Sequence, residues 1–370
     1  MNAEVIVVGA GIVGSACAHE LARRGLDVLV LDSRRGGATA VGMGHLVAMD
    51  DNPAELALSD YSIQAWRTWA ADLPEDCAYR NCGTLWLAAD AAELAEAERK
   101  RQALLAAGVA CEMLDAARCV TWNRSCGQAS PAPEGAGRRH PLRAQRGALA
   151  ARTSRPAPAS IARRSQRSGR QPPAPGRRPL AERRGAGAGQ RHPCRRAVRG
   201  AADPPEERPP ADHRPLSRTL RHQLVELGYV SSAHASSGTS VAFNAQPRPT
   251  GQVFLGSSRQ FDTLDPQVEG PVLARMLRRA LDYLPGLAGL NAIRAWTGFR
   301  AATPDGLPLL GEHPAQPGLW LAVGHEGLGV TTAPGSARLL AAQLFGETPP
   351  LDPTPYLPQR FLSSSGSARP

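Results

Sequence analysis

The chain has 370 residues, 42% hydrophobic and 21% charged, which suits a soluble globular protein of two lobes. It contains no apolar run of about 18 residues that would cross a bilayer. Its seven cysteines show no paired spacing, which argues against a disulfide framework or a zinc centre and for reduced thiols in the cytoplasm. The net charge of +10 would suggest a nucleic-acid partner, but residues 124–219 hold 22 arginines against six acidic residues, so the remainder carries −6 and no such partner is expected.

In chain order, residues 4–10 form a short apolar run suited to a buried parallel strand, entered without the basic segment of a secretory leader. Residues 12–24 read as a helix that Gly25 can end in the left-handed conformation, and 27–32 as a second buried strand. Asn52-Pro53 opens a helix running through Trp66 and Trp69. Residues 83–88 read as a strand, and Asp90 as the N-cap of a charged helix to about residue 107.

Residues 124–219 differ in kind. They hold 15 of the 33 prolines and no Phe, Trp, Tyr or Met, and no apolar period of a helix or strand persists. Such a stretch cannot bury enough apolar surface to offset its chain entropy, so it is expected to be disordered or foreign to the fold. Ala, Arg, Gly and Pro are the residues that codons built from G and C encode, and Lys100 is the one lysine among 43 basic residues. A reading-frame shift entered near Asn123 and left near Leu220 accounts for this composition. The rival, an arginine-rich insertion that binds nucleic acid on a degenerate nucleotide fold, lacks interleaved aromatics.

Regular patterning resumes at about residue 220. Residues 240–245 and 252–256 alternate like the strands of a hairpin around Pro247-Arg-Pro-Thr-Gly251. Residues 272–283 read as a helix stopped by Pro285-Gly286, and 319–323 as a buried strand. A glycine-rich turn and a helix from about 333 to 345 follow.

The first motif with chemical content is Gly9-x-Gly11-x-x-Gly14, between strand and helix, with Asp32 ending the next strand. Gly9 permits the tight turn, Gly11 the approach of a pyrophosphate, and Gly14 close packing of helix on sheet. The helix N-terminus favours the phosphates, and Asp32 can accept from ribose hydroxyls. This reads as a dinucleotide site without distinguishing FAD from NAD.

Further stretches carry a resemblance that separates the two: Thr39-Ala-Val-Gly-Met-Gly-His45, Gly256-Ser-Ser-Arg259, Trp296-Thr-Gly-Phe-Arg300 with Pro304-Asp-Gly-Leu-Pro308, and Gly324-His-Glu-Gly-Leu-Gly-Val-Thr331. Together with the first motif they resemble the FAD-dependent D-amino-acid oxidase and dehydrogenase superfamily, including glycine oxidase. The runs around Met43 and from Arg221 to Tyr229 resemble bacterial D-hydroxyproline dehydrogenases. The resemblance implies an α/β fold, with a Rossmann-like FAD domain built from residues 1–123 and 290–370. A mostly antiparallel α+β substrate domain would retain 220–289, and 124–219 would have replaced a strand of the FAD domain. It implies non-covalent FAD, oxidation of a small D-amino or imino acid to an imine, and reoxidation by oxygen, a quinone or a partner subunit. A quinone would bring the chain to a membrane surface. An interrupted FAD domain is expected to leave this chain weak in flavin binding and activity.

Residue by residue, the resemblance makes Arg300 the guanidinium that holds the substrate carboxylate, an interdomain ion pair being the plainer alternative. Thr39, Ala40, Gly44 and His45 would lie beside the isoalloxazine, although a hydrogen-bonded structural role suits His45 equally. Gly324, Gly327, Gly329 and Thr331 belong to a turn whose amides would face the flavin. Tyr229 would line the pocket and Arg259 follows a strand. Glu326 stands near the position where glycine oxidase has a second arginine.

Overall fold

A computed structural model describes residues 3–34, 37–122, 147–151, 194–195, 220–228, 238–261 and 263–361. Val5–Val8 (β1) and Val28–Leu31 (β2) pair in parallel, with Val5 opposite Val28 and Val8 opposite Leu31. The crossover between them is Ile12–Arg23 (α1), ended by Gly25 at φ +94°. A short helix, Ala38–Val41 (α2), leads to Pro53–Trp69 (α3). The α3 N-terminus is capped by Asn52, whose Oδ1 accepts from Glu55 N at 2.8 Å.

The larger sheet has six strands. Thr84–Ala88 (β3) is followed by Ala91–Ala106 (α4), capped by Asp90, then Cys111–Leu114 (β4) and Ala116–Trp122 (α5). Gly147–Ala151 (β5) lies antiparallel between β3 and β4. Cys194–Arg195 (β6) stands outside this sheet. On the other side β3 pairs in parallel with Gln223–Glu226 (β7), and antiparallel Thr239–Pro247 (β8) and Val253–Gln260 (β9) complete the sheet. The expected hairpin is therefore present, its turn closed by Gly251 N donating to Arg248 O at 3.0 Å.

β3 alternates between two cores, as a strand covered on both faces must. Leu85 and Leu87 join Leu224, Phe243 and Leu255 under the helix Gly270–Tyr283 (α6). Trp86 and Ala88 turn the other way, toward Met49, Leu56, Ala97 and Leu104. Thus β3 and β4, which the sequence placed with the nucleotide lobe, hydrogen-bond into the same sheet as β7–β9.

The chain closes with Phe299–Arg300 (β10), Leu309–Glu312 (β11), Trp320–Val323 (β12) and the helix Gly329–Phe345 (α7). β10 pairs antiparallel with β6. α7 begins four residues earlier than its sequence suggested, with Pro334 inside it. Proline cannot donate to Val330 O, and the indole Nε1 of Trp66 takes that carbonyl at 2.9 Å instead. Ala333 and Ala337 of α7 pack on Ala16 and Cys17 of α1, so sequence-distant segments share one core as the resemblance implied. Gly335 meets α3 so closely that a Cβ would lie 2.2 Å from Ser62 Oγ.

The expectation for 124–219 falls outside the described residues except at β5 and β6. Those two pieces are strands and depart from the expected disorder. Their partners β3, β4 and β10 supply the pairing, a long-range contribution that Gly-Ala-Leu-Ala-Ala cannot announce by its own apolarity.

Candidate active site

The glycine turn after β1 is built as its residue types require. Gly9 has φ +105°, and a Cβ on Gly14 would lie 2.0 Å from Gly9 O, so α1 can approach the strand only through glycine. Asp32 braces the turn: its carboxylate accepts from Ala10 N at 2.7 Å and Arg34 N at 2.6 Å. These two amides hold the exposed carboxyl below its ordinary range. Thr39 Oγ1 accepts from Ile12 N at 2.9 Å and stands 3.3 Å from where a Gly11 Cβ would be. Ala40 is exposed on α2.

Three cavities adjoin one another, two of them lined by Ile12 and Thr39. The first, about 240 Å³, runs from Ile12 and Thr39 to Gly324, Glu326 and Gly329. A second, about 350 Å³, shares Ile12, Thr39 and Gly42 with it and is also lined by Cys77 and Cys82. The third and largest, about 700 Å³, shares Arg300, Glu326 and Gly327 with the first and includes Gly44, His45, Trp86 and Asn244. Val330 lines all three.

The strip 44–47 that edges the largest cavity is pinned through its backbone. Gln246 Nε2 donates to Gly44 O at 3.4 Å, Thr331 Oγ1 to His45 O at 2.9 Å, and Gln223 Nε2 to Leu46 O at 2.9 Å. Thr331 is buried and belongs to none of the three linings, so its hydroxyl positions this strip rather than facing a cavity. His45 lines the largest cavity. Tyr229 lies outside the described residues.

Arg300 reaches the shared wall from β10, and its side chain is 6% exposed. A Cβ on Gly327 would lie 2.9 Å from Arg300 Nη1, so that glycine makes room for the guanidinium. Nη1 donates to both carboxylate oxygens of Glu326, at 2.8 and 2.9 Å, and Arg259 Nη2 lies 3.5 Å from Glu326 Oε1. Burial opposes the ionisation of Glu326, but Arg300 and then Arg259 overcome it and hold the carboxyl below its ordinary value. Gly324 has φ +80°, and Gly329 begins α7. Between them His325, held neutral by burial with its pKa down to about 4, has Nε2 3.0 Å from Ser336 Oγ.

Two features escaped the sequence reading. Glu55, in the first turn of α3, lines the largest cavity, and burial, then Asp51 and Glu326, push its pKa up to about 8. Trp86 walls the cavity with Lys100 Nζ 4.5 Å over its ring, and Lys100 is ion-paired to buried Asp50. An isolated Glu three residues after an N-cap Asn reads as ordinary capping, and nothing marked Lys100 except its being the single lysine.

Residues 4–343 match the family described as FAD dependent oxidoreductase. The chain belongs to that family. Among curated relatives, glycine oxidase of Pseudomonas aeruginosa is 36% identical over 114 residues, 31% of each chain. D-amino acid dehydrogenase 2 of the same organism is 41% identical over 99 residues, 27% of this chain and 24% of the relative. The chain thus matches about a third or less of the length of these relatives. The fold extends much further. Glycine oxidase from Geobacillus kaustophilus superposes with a TM-score of 0.70 at 18% identity, covering 96% of this chain and 98% of that one. L-proline dehydrogenase from P. horikoshii gives 0.70 at 16%, covering 98% of both.

The family's cofactor suits the residues present. Gly9 and Gly11 leave the turn before the α1 N-terminus free of side chains, Gly14 lets α1 pack against it, and the adjoining cavity runs from Ile12 and Thr39 to Arg300, a shape that suits an extended dinucleotide. Among the described residues no group of His, Cys, Asp and Glu could hold a metal, and no helix is long and apolar enough to cross a membrane.

Proposed function

We propose that the chain oxidises the C–N bond of a small D-amino or imino acid to the imine, using non-covalently held FAD. The observation that carries this is Arg300. It is a buried guanidinium on the wall shared by the cavity at Ile12 and Thr39 and the largest cavity, where a carboxylate would sit beside the cofactor. The names of the relatives point to the same substrate class.

Gly9, Gly11, Gly14 and Asp32 would hold the nucleotide. Thr39, Gly44, His45, Gly324, Gly327 and Gly329 would surround the ring, with Thr331 fixing the strip that carries His45; Ala40, expected there, is exposed and lines none of the three cavities. FAD, when bound, would supply the acceptor for the hydride that carries both electrons, the amine's proton leaving to solvent. Arg300 binds the carboxylate through a planar fork and so fixes where the α-carbon stands. Val47, Met49, Trp86 and Val225 give the cavity an apolar wall that thins the water around the α-carbon. Glu55, protonated at neutral pH, presents a donor to the substrate from the α3 end.

The test is direct. The full chain, and a version with the reading frame restored across 124–219, are purified with FAD and screened by dye reduction against D- and L-amino acids and cyclic imino acids. Bound flavin and a turnover that Arg300→Lys reduces by about a hundredfold or more support the reading. A restored protein that stays colourless in excess FAD refutes it. The same assay with oxygen, a quinone or a dye identifies the electron acceptor.

A further inference from the structure

Glu326 lies where a ligand's carboxylate would be expected to compete. Its carboxylate takes two hydrogen bonds from Arg300 Nη1 and stands 3.5 Å from Arg259 Nη2, with the three side chains 6–19% exposed. The backbone that presents it is left-handed, φ +49°, a conformation a non-glycine residue adopts at a cost. It is locked by Glu326 N donating to Ala301 O at 2.8 Å, which ties the turn to the strand end carrying Arg300. We propose that Glu326 is a specificity-determining residue, a resident counter-ion that limits the cavity to substrates bearing a single carboxylate.

The charges at this one wall are balanced by one ligand carboxylate. Arg259 and Arg300 bring two positive charges, and Glu326 cancels one, which leaves a match for one carboxylate. The nearby acids do not alter that balance. Asp305 is bound by Arg360 at 2.6 and 3.0 Å, Glu55 keeps its proton at neutral pH, and the charge of Asp51, which also lines the cavity, is screened by its exposure to solvent. A second ligand carboxylate would therefore meet Glu326 in a poorly hydrated wall, where like charges repel strongly. Substrates with neutral side chains are admitted, and those with an acidic side chain or a second carboxymethyl group are refused. This inference rests on Arg300 as the carboxylate anchor.

The probes are acetate and the dicarboxylates malonate, succinate and glutarate, titrated calorimetrically into the full chain supplied with FAD. The wild type is expected to bind acetate more tightly than any dicarboxylate. Glu326→Gln is expected to shift the ratio toward at least one dicarboxylate by roughly tenfold or more, and adding Arg259→Gln to abolish that gain. Glu326→Asp keeps the charge and must keep the wild-type ratio. A wild type that already prefers a dicarboxylate overturns the proposal, as does an unchanged ratio in Glu326→Gln or a dicarboxylate gain in Glu326→Asp. Arg300→Gln serves as the separate control. If acetate binding survives it, the anchor reading fails, whereas lost binding with an unshifted ratio in Glu326→Gln condemns Glu326 alone.

Discussion

Replacing Asp50 by asparagine should destabilise the protein more than replacing Lys100 by methionine, although the two residues form one ion pair. Their side chains are 1% and 0% exposed, and the Lys100 ammonium sits 4.5 Å over the Trp86 ring. Asp50→Asn strands that ammonium against an indole face, and stranding a buried charge costs about 3–5 kcal/mol. Lys100→Met leaves Asp50 with Arg99 Nη2, 3.3 Å away on a side chain 52% exposed, so part of the pairing survives. Its cost should fall to about 1–3 kcal/mol, and the double variant should cost less than the sum by roughly 1–3 kcal/mol. Urea unfolding of all four proteins, followed by tryptophan fluorescence at saturating FAD, measures each term. Additive costs, or Lys100→Met the more damaging, would refute the claim that Arg99 shares the charge of Asp50.

Other outcomes can be checked with simpler measurements. Gly14→Ala places a Cβ 2.0 Å from Gly9 O, so α1 must lift from the strand, and FAD titration should show affinity reduced by about a hundredfold. Glu55 holds its proton more tightly folded than unfolded, so its linked stability is full below about pH 4.5 and is lost as pH rises through about 8. Glu55→Gln should therefore raise stability at pH 8.5 by up to about 4 kcal/mol relative to its effect at pH 4.5, read from melts at both pH values. Translating the other two frames of the gene across codons 124–219 should reveal strand and helix patterning; two frames full of stops or without pattern would remove the frameshift explanation.

Much of the fold was legible because its signals are local. The β1–α1–β2 unit, the caps at Asn52 and Asp90 and the β8–β9 hairpin each follow from residues within one turn or one strand. β5 was not legible, since Gly-Ala-Leu-Ala-Ala becomes a strand only through β3 and β4. The start of α7 was missed because the carbonyl freed by Pro334 is taken by Trp66, 264 residues away from Val330. At the site, Arg300 and the glycines carried recognisable motifs. Glu55 and the Asp50–Lys100 pair did not, because their character comes from burial beside groups far along the chain. Glu326 was visible only as a departure from a relative's arginine, and its role emerges from the reach of Arg300 and Arg259.

The position of α7 bears on the order of events during synthesis. Its residues 333–337 wedge between the first and third helices of the chain, with glycine and alanine at the tightest points. A nascent polypeptide therefore emerges with its glycine turn complete but no rear wall to press α1 into place. Flavin capture must wait until residue 345 has cleared the ribosome, and a messenger cut short before that helix would yield colourless protein however intact its first hundred residues.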